Sequence, residues 1–472
     1  MSRGIDAAGV YVPRARLPTD EQRAVWDSVR APGIEAVAIP GADEDALTMA
    51  VAAAERALAA WDGEPGTIET AGLATTTPPS AEGALAGRLA AALGLAEGVA
   101  TADLGGDLLA GAAALDRALD ADGPALIAVA DAPPGDPGAE GQRAGAGAAA
   151  FVVDDDAAVP MVGWAWHSAE YPGVRFRATD GELSGLGVRT YERAAARESV
   201  SAALDRIDGE PAEVAAAALH QPHAGAPHRL GAALGLDDGV VAAGVVADRI
   251  GDAGAAGVPV GLCAALDGRA ADDRTLAGFA GSEGGAAAFV LEGGIDVGGI
   301  ADLDDGVEVD YPAAMRLRGE LGDAAVAGGG AYVSLPTWRR TLAQRYRLEA
   351  GRCPECDAVA FPPEGACPDC GERVDHEAVS LAPEGTLVAL TVIGEGAAPP
   401  EFAELQRRSG PFATGIVECP AEGGGAARLP AMLTDCDPAD VAVGDPVRAT
   451  FRRLYEQEGV ARYGRKFVPD RG

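Results

Sequence analysis

Apolar residues in the first part of the chain alternate between long alanine-rich stretches of helical character and short blocks dense enough for buried strands. The stretch ALTMAVAAAERALAAW (46–61) reads as a helix. After the turn Asp62-Gly63-Glu64-Pro65 comes an apolar strand ending near Thr76. The same succession recurs: the helical stretch YERAAARESVSAALDRI (191–207), the turn Asp208-Gly209-Glu210-Pro211 and the strand AAAALHQP (215–222). Two further echoes keep the order. Ala91-Ala92-Leu93-Gly94-Leu95 returns as Ala232-Ala233-Leu234-Gly235-Leu236, and Ala148-Ala149-Ala150-Phe151-Val152 as Ala286-Ala287-Ala288-Phe289-Val290. Each match alone is weak in so alanine-rich a chain; their shared order predicts a duplicated α/β unit with buried sheets, stacked as αβαβα.

The pattern changes after residue 321. Residues 322–330 (GDAAVAGGG) form a natural boundary, and SLPTWRRTLAQRYRL (334–348) then predicts one helix with Trp338, Leu342 and Tyr346 on a single face. The segments GTLVALTVI, FATGIVEC, ARLPAML and PVRATFRRLY, separated by Gly/Pro/Asp-rich turns, predict a small all-β barrel. The expected domains are therefore 1–321 (α/β), 322–349 (linker and amphipathic helix), 350–378 (a ribbon) and 379–472 (a barrel).

Between the last two regions lies the most specific motif. Cys353-Pro354-Glu355-Cys356 and Cys367-Pro368-Asp369-Cys370 are two CxxC knuckles ten residues apart. This spacing suits four thiolates around one zinc ion, with no position left for water, so the metal is expected to be structural. Redox chemistry is the rival reading, but no thioredoxin-like pattern surrounds either pair.

Charge narrows the function. Lys+Arg number 37 against Asp+Glu 72, a net charge of −35, and Lys466 is the only lysine. Such a surface repels polyanions and disfavours general nucleic-acid binding. The composition resembles that of proteins from salt-in halophiles. No run of 18 apolar residues predicts a membrane helix, and the N-terminal residues lack a signal-peptide pattern, so a cytoplasmic location is expected. Against this acidity, Arg339, Arg340, Arg345 and Arg347 crowd the helix after the boundary. They are either a solvated face pairing with neighbouring acids or a site for phosphates, a patch that Arg448, Arg452, Arg453, Arg462, Arg465 and Lys466 would extend.

GVYVPRARL, the run PGADED-ALTMAVAAAERAL, ADAPPGDPG, LHQP and YPAAMRLRGEL together resemble archaeal hydroxymethylglutaryl-coenzyme A (HMG-CoA) synthases of the thiolase superfamily, over roughly residues 4 to 320. Residues 331 to 469 resemble a family that joins a rubredoxin-like zinc ribbon to an acyl-CoA-associated OB-fold and typically accompanies thiolase-family enzymes. The first resemblance implies a cysteine nucleophile at a helix start, a glutamate acid/base, a histidine and an asparagine oxyanion donor. In this chain Leu108, in TADLGGDLLAGAAALDRAL, stands at the cysteine position, and no cysteine occurs from Met1 to Leu262. Thr76 stands at the glutamate position, with Glu82 a substitute only if the loop is rebuilt. Asp252 stands at the asparagine position, where a carboxylate would repel an oxyanion.

Only His220 survives, either as a pocket residue touching an acyl-CoA or as a structural histidine; the loss of its partners favours the second reading. His223 and His228 are expected to be exposed near a helix start, and Cys263 to be a buried small hydrophobe. The expectation is a non-catalytic subunit of an acyl-CoA assembly. It would hold zinc, bind CoA, and pair with an active thiolase or HMG-CoA synthase or with a second copy of itself. The rivals are an active HMG-CoA synthase using unfamiliar residues and a zinc-ribbon/OB nucleic-acid binder.

Overall fold

Dense apolar strands need cover on both faces, and the first unit of the chain supplies it. The computed structural model describes residues 3–134, 141–177, 183–207, 214–321 and 333–470. Asp208–Pro211 and the boundary segment 322–330 lie outside these. The chain divides into two units, one of Met1–Pro40 with Asp45–Glu320, the other of Gly41–Glu44 with Leu321–Gly472. No helix among the described residues is long and apolar enough to cross a membrane.

Nine strands of the first unit form one sheet in two matching halves. In the first half Gly4–Tyr11 pairs antiparallel with Gly147–Asp154, which pairs antiparallel with Ala125–Asp131. Thr70–Thr75 and then Ala100–Gly105 follow in parallel. In the second half Val159–His167 pairs with Ala286–Glu292, and that strand with Arg274–Ala280, both antiparallel; Ala216–Leu219 follows in parallel. The two Ala-Ala-Ala-Phe-Val echoes occupy corresponding strands. The other echo closes the helices Leu85–Leu93 and Gly225–Ala233, where Gly94 and Gly235 both take left-handed φ, +69° and +78°. Among the described residues, the second half has no counterpart of the edge strand Ala100–Gly105.

The period-two geometry of the strands shows what each face covers. Ala216, Ala218, Ala277, Phe279, Ala287 and Phe289 join a core that also contains the helices Ala110–Leu119 and Gly257–Leu266. Their neighbours Ala217, Leu219, Leu276, Ala286 and Ala288 pack instead with Val200 and Leu230, from the helices Arg189–Leu204 and Gly225–Ala233. In the first half, the helix Ala46–Ala60 lies so close to the strand Gly4–Tyr11 that a Cβ on Gly9 would stand 2.3 Å from the Ala53 carbonyl oxygen. The two central helices therefore lie between sheet halves, as the layered expectation requires.

The second unit begins with a three-stranded ribbon, Val359–Ala360, Glu349–Arg352 and Glu377–Ser380. A five-stranded barrel follows, in the order Ala426–Met432, Phe412–Pro420, Glu384–Ile393, Pro446–Gln457 and Val460–Pro469; a bridge from Leu433 to Phe467 nearly closes it. Along Ala426–Met432, Ala427, Leu429 and Ala431 are buried while Arg428 and Pro430 are exposed, the alternation of a strand with one wet face.

The lead helix differs from the sequence expectation. It is two short helices, Leu335–Arg340 and Leu342–Arg347, parted at Thr341. The Thr341 hydroxyl donates back to the carbonyls of Thr337 and Trp338, a competing bond that bends helices.

Candidate functional site

Parallel strands deliver their C-terminal ends to one edge of a sheet, where ligand sites commonly form. Here Thr75 and Asp131 close two adjacent parallel strands, and Asp131 is fully buried. Its carboxylate accepts from the Thr75, Thr76 and Thr77 hydroxyls at 2.8, 2.7 and 3.0 Å. It also accepts from the backbone N–H groups of Thr76, Thr77 and Ala255 at 2.7, 3.1 and 2.7 Å. Six donors satisfy a buried carboxylate without a cation. Thr76, which the resemblance set at the glutamate position, thus donates its hydroxyl to Asp131. Three consecutive threonines before two prolines were the only sequence trace of this arrangement.

Leu108 lies just before the helix Ala110–Leu119 and is 6% exposed. Its backbone N–H, the kind of donor that would stabilise an oxyanion at this point, donates to Ser282 Oγ at 3.2 Å. Asp107 fixes that arrangement, its Oδ1 accepting from the N–H groups of Ser282 and Leu109 at 2.9 and 3.0 Å. The side chain at this helix start is therefore not a nucleophile, and the backbone donor beside it is already bonded.

Leu108 and His220 line one cavity of ≈ 920 Å³, together with His223, Arg143, Arg175, Ala280 and Gly281; the lining includes no cysteine. Asp252 is buried beside it. Burial alone would raise its pKa, but Arg175 (2.8 Å) and Arg143 (3.5 Å) hold the carboxyl below its ordinary value. It therefore stands ionised and doubly paired, and it bonds the Gly254 N–H. His220 is pushed down to about 4, chiefly by burial and against the pull of Asp252, so its imidazole is neutral near pH 7. His223 is likewise pushed down to about 4, by burial and by Arg229, which bonds its ring at 2.9 Å. The expectation of an exposed His223 is thereby corrected, because the loop after Ala216–Leu219 turns it into the cavity. His228 bonds Asp238, and Cys263 is buried within the helix Gly257–Leu266.

The cavity's charge is the feature the sequence reading missed. Eight of its lining residues are arginines and one, Glu192, is acidic, the reverse of the balance along the whole chain. Arg189, Arg193 and Arg197 fall at four-residue steps on the helix Arg189–Leu204, a spacing visible in RTYERAAARES, so they share one face. Arg23 and Arg197 each hold a neighbouring carboxylate. Arg229 is held below its ordinary value by partial burial and by Arg193 and Arg189, the signature of cations crowded together. Such a wall suits phosphate or carboxylate groups.

The arginines expected to bind phosphates sit elsewhere and are largely engaged. Arg340 pairs with Glu364 at 3.1 Å, Arg347 with Glu349 at 3.7 Å, and Arg345 stacks over Trp338 at 4.3 Å; Arg339 is exposed. The extended surface patch is also corrected. Arg462 stacks on Trp338, Arg465 donates to the Tyr346 carbonyl, and Arg448 and Arg453 pair with Glu384 and Glu404. Lys466 and Arg452 are 1% exposed, and each sits among acids. Lys466 Nζ bonds Asp43 at 2.8 Å, and Arg452 meets Asp435 and Glu44 at 2.8 and 3.1 Å. Cations at such depth need these partners.

In the ribbon, the four cysteine sulfurs lie within 4.8 Å of one another. Cys353 and Cys370 are 3.8 Å apart, and Cys356 and Cys367 3.6 Å. A tetrahedron with Zn–S bonds of about 2.3 Å has edges of about 3.8 Å, so the donor set fits zinc. Each knuckle is a matching turn. Asp357 N–H donates to the Cys353 carbonyl and Gly371 N–H to that of Cys367, with Asp357 and Gly371 at φ +61° and +76°. Cys353 and Cys367 are buried and the other two exposed.

Comparison with known proteins agrees with both units. Residues 340–377 match the family described as ChsH2, rubredoxin-like zinc ribbon domain, and residues 378–452 the ChsH2, C-terminal OB-fold domain. A DUF35 domain-containing scaffold protein of Methanocaldococcus jannaschii is 35% identical over 135 residues, 28% of this chain and 88% of that protein. The hydroxymethylglutaryl-CoA synthase of Methanopyrus kandleri is 31% identical over 303 residues, 61% of this chain and 86% of that protein. Among solved structures, an HMG-CoA synthase complexed with CoA superposes with TM-score 0.59 at 17% identity, covering 71% of this chain and 94% of that one. The 3-oxoacyl-[acyl-carrier-protein] synthase III of Aquifex aeolicus gives 0.56 at 21%, covering 61% and 99%. These last two speak to the fold alone.

Proposed function

The chain belongs to the hydroxymethylglutaryl-CoA synthase family in its first unit and to the DUF35 scaffold-protein family in its second, and on that premise we propose that it is a non-catalytic subunit of an acyl-CoA-processing assembly. Its thiolase-like unit holds a CoA thioester without taking the acyl group, and its zinc-ribbon/OB unit serves as the scaffold toward an active partner of the thiolase or HMG-CoA synthase type. The observation that carries this is Leu108, an isobutyl side chain lining the cavity at the helix start, with its N–H bonded to Ser282. A hydrocarbon branch cannot form a thioester.

The cavity nevertheless keeps what binding requires: a neutral imidazole, an apolar inner wall and arginines facing a large opening. Arg30, Arg189, Arg193 and Arg229 are the groups assigned to the CoA phosphates, in place of the 339–347 arginines. Zinc, held by Cys353, Cys356, Cys367 and Cys370, stabilises the ribbon and takes no part in chemistry. The test is intact-protein mass after incubation with an isotope-tagged acyl-CoA. An unchanged mass, with saturable binding measured in parallel, is expected. A stable adduct on any residue of the first unit makes the chain an acyltransferase instead.

A further inference from the structure

Three segments of the second unit bring two arginines onto one indole. Trp338, 7% exposed, comes from the helix Leu335–Arg340, Arg345 from the helix Leu342–Arg347, and Arg462 from the strand Val460–Pro469. The guanidinium carbons of Arg345 and Arg462 lie 4.3 and 5.0 Å from the centre of the Trp338 ring. Tyr455, opposite Arg462 in the strand register, completes the group with its ring edge-on to Trp338 at 6.2 Å. An aromatic face attracts a cation, but it neutralises neither of the two.

What this group lacks is a carboxylate. Among the described residues neither guanidinium forms an ion pair. Arg345 Nε donates to the Thr341 hydroxyl at 3.1 Å. Arg462 is 7% exposed, its Nε is enclosed, and no acceptor among the described residues receives that donor. Lys466 and Arg452, also deep in the second unit, each have their acids. Arg345 is held below its ordinary value by burial, with Tyr455 pulling the other way and Arg462 adding to the fall. Glu401 acts on Tyr455 and not on Arg345.

Two like charges on one ring, one of them buried with an open donor, are stabilised when an anion joins them. We propose that Arg345 and Arg462 bind a compact oxyanion of the phosphate kind, which clamps the two lead helices to the last two strands of the barrel. Guanidinium forks match paired oxygens, and the depth of Arg462 suits an ion better than a bulky ester. The site shares no residue with the arginine-rich cavity of the first unit, so it stands whether or not that cavity holds a thioester. No bond is made or broken.

The experiment follows hydrogen exchange of residues 335–347 and 455–463 in the full-length, zinc-loaded chain as inorganic phosphate is raised, with sodium chloride holding the ionic strength constant. Protection of both segments should rise together and saturate. Arg345→Gln should weaken that response about tenfold or more, the loss of one charge-assisted pair of bonds. Arg189→Glu with Arg193→Glu, in the first unit, should leave it unchanged. Without phosphate, Arg345→Gln should leave both segments at least as protected as in the parent, because it removes one of two like charges. An arginine that only packs would give the opposite result. Arg345→Lys keeps the charge, loses the fork and should restore only part of the phosphate response.

Glycerol 2-phosphate is run in parallel. A response to inorganic phosphate alone assigns the site to the free ion; a response to the ester assigns it to the phosphate end of a larger ligand. No protection by either compound, or a response that Arg345→Gln leaves intact, overturns the site.

Discussion

The two units pose the same question, what a site needs in order to work, and answer it oppositely. In the ribbon all four ligands lie between Cys353 and Cys370, are of one residue type and meet at sulfur–sulfur distances that a zinc tetrahedron requires. In the thiolase-like unit the positions read from the family resemblance come from distant segments, and on the proposed reading three of them, Leu108, Thr76 and Asp252, do not serve acyl transfer. Yet the surrounding α/β body is intact, with both sheet halves packed on the central helices. If the proposed function holds, the comparison teaches that a fold outlasts its reaction where the cavity keeps a binding role, whereas a closed metal site has no such latitude. A ribbon of this size has little core to fall back on.

The comparison is broken most forcefully at the metal. Cys353→Ser with Cys367→Ser, or prolonged chelation, should take metal content from one zinc per chain to none and collapse hydrogen-exchange protection of residues 349–380. Structural zinc is worth roughly 10–16 kcal/mol in small zinc-binding peptides. Protection of Ala125–Asp131 and Gly147–Asp154, in the first unit, should stay unchanged. A ribbon that keeps its protection without metal would contradict the structural role.

A smaller effect is expected from the buried ion cluster of the second unit. There the charge of Asp43 is favoured against its burial by Lys466 and Arg452. Asp43→Asn leaves two buried cations short of a partner, which should cost about 3–5 kcal/mol in a denaturant titration. The double change Asp43→Leu with Lys466→Met should recover part of that loss. A single variant as stable as the parent would show that the cluster is solvated.

Next in size are the arginines of the cavity mouth. Arg189→Glu with Arg193→Glu should weaken CoA binding about tenfold or more and flatten its salt dependence, while Arg339→Glu with Arg340→Glu should change neither. The opposite ranking would return the phosphate site to the lead helices.

A further effect is one of pH. Folded His220 and His223 bind protons more weakly than the ordinary value of 6.5, with midpoints near 4. Acid therefore favours the unfolded chain, and the stability tied to their neutral forms is complete above about pH 6.5 and lost as pH falls toward 4. His220→Gln should flatten this slope without altering stability at pH 8.

How much of this could be read beforehand follows from how each feature is encoded. The duplication was legible because equivalent strands kept the string Ala-Ala-Ala-Phe-Val, and the ribbon because its ligands are local. The break at Thr341 was not legible, since the pattern Trp338, Leu342, Tyr346 fits an uninterrupted helix and only the hydroxyl's bond to Thr337 and Trp338 breaks it. Lys466 was expected on a surface; its partner Asp43 stands 423 positions away, and pairings at that distance leave no local trace. The cavity arginines were half visible, in the four-residue spacing of Arg189, Arg193 and Arg197. Nothing in the residues around Arg143 and Arg175 announces that both would close on Asp252. His223 was misjudged because only the loop's path after His220 decides that it too faces the cavity.

The most direct test of non-catalytic binding is thiol release. The chain, purified free of companions, is mixed with acetyl-CoA and acetoacetyl-CoA, and free CoA is followed colorimetrically while calorimetry follows binding on the same preparation. The account predicts saturable binding with no thiol released above the buffer rate. Sustained release of CoA by the chain alone would contradict it.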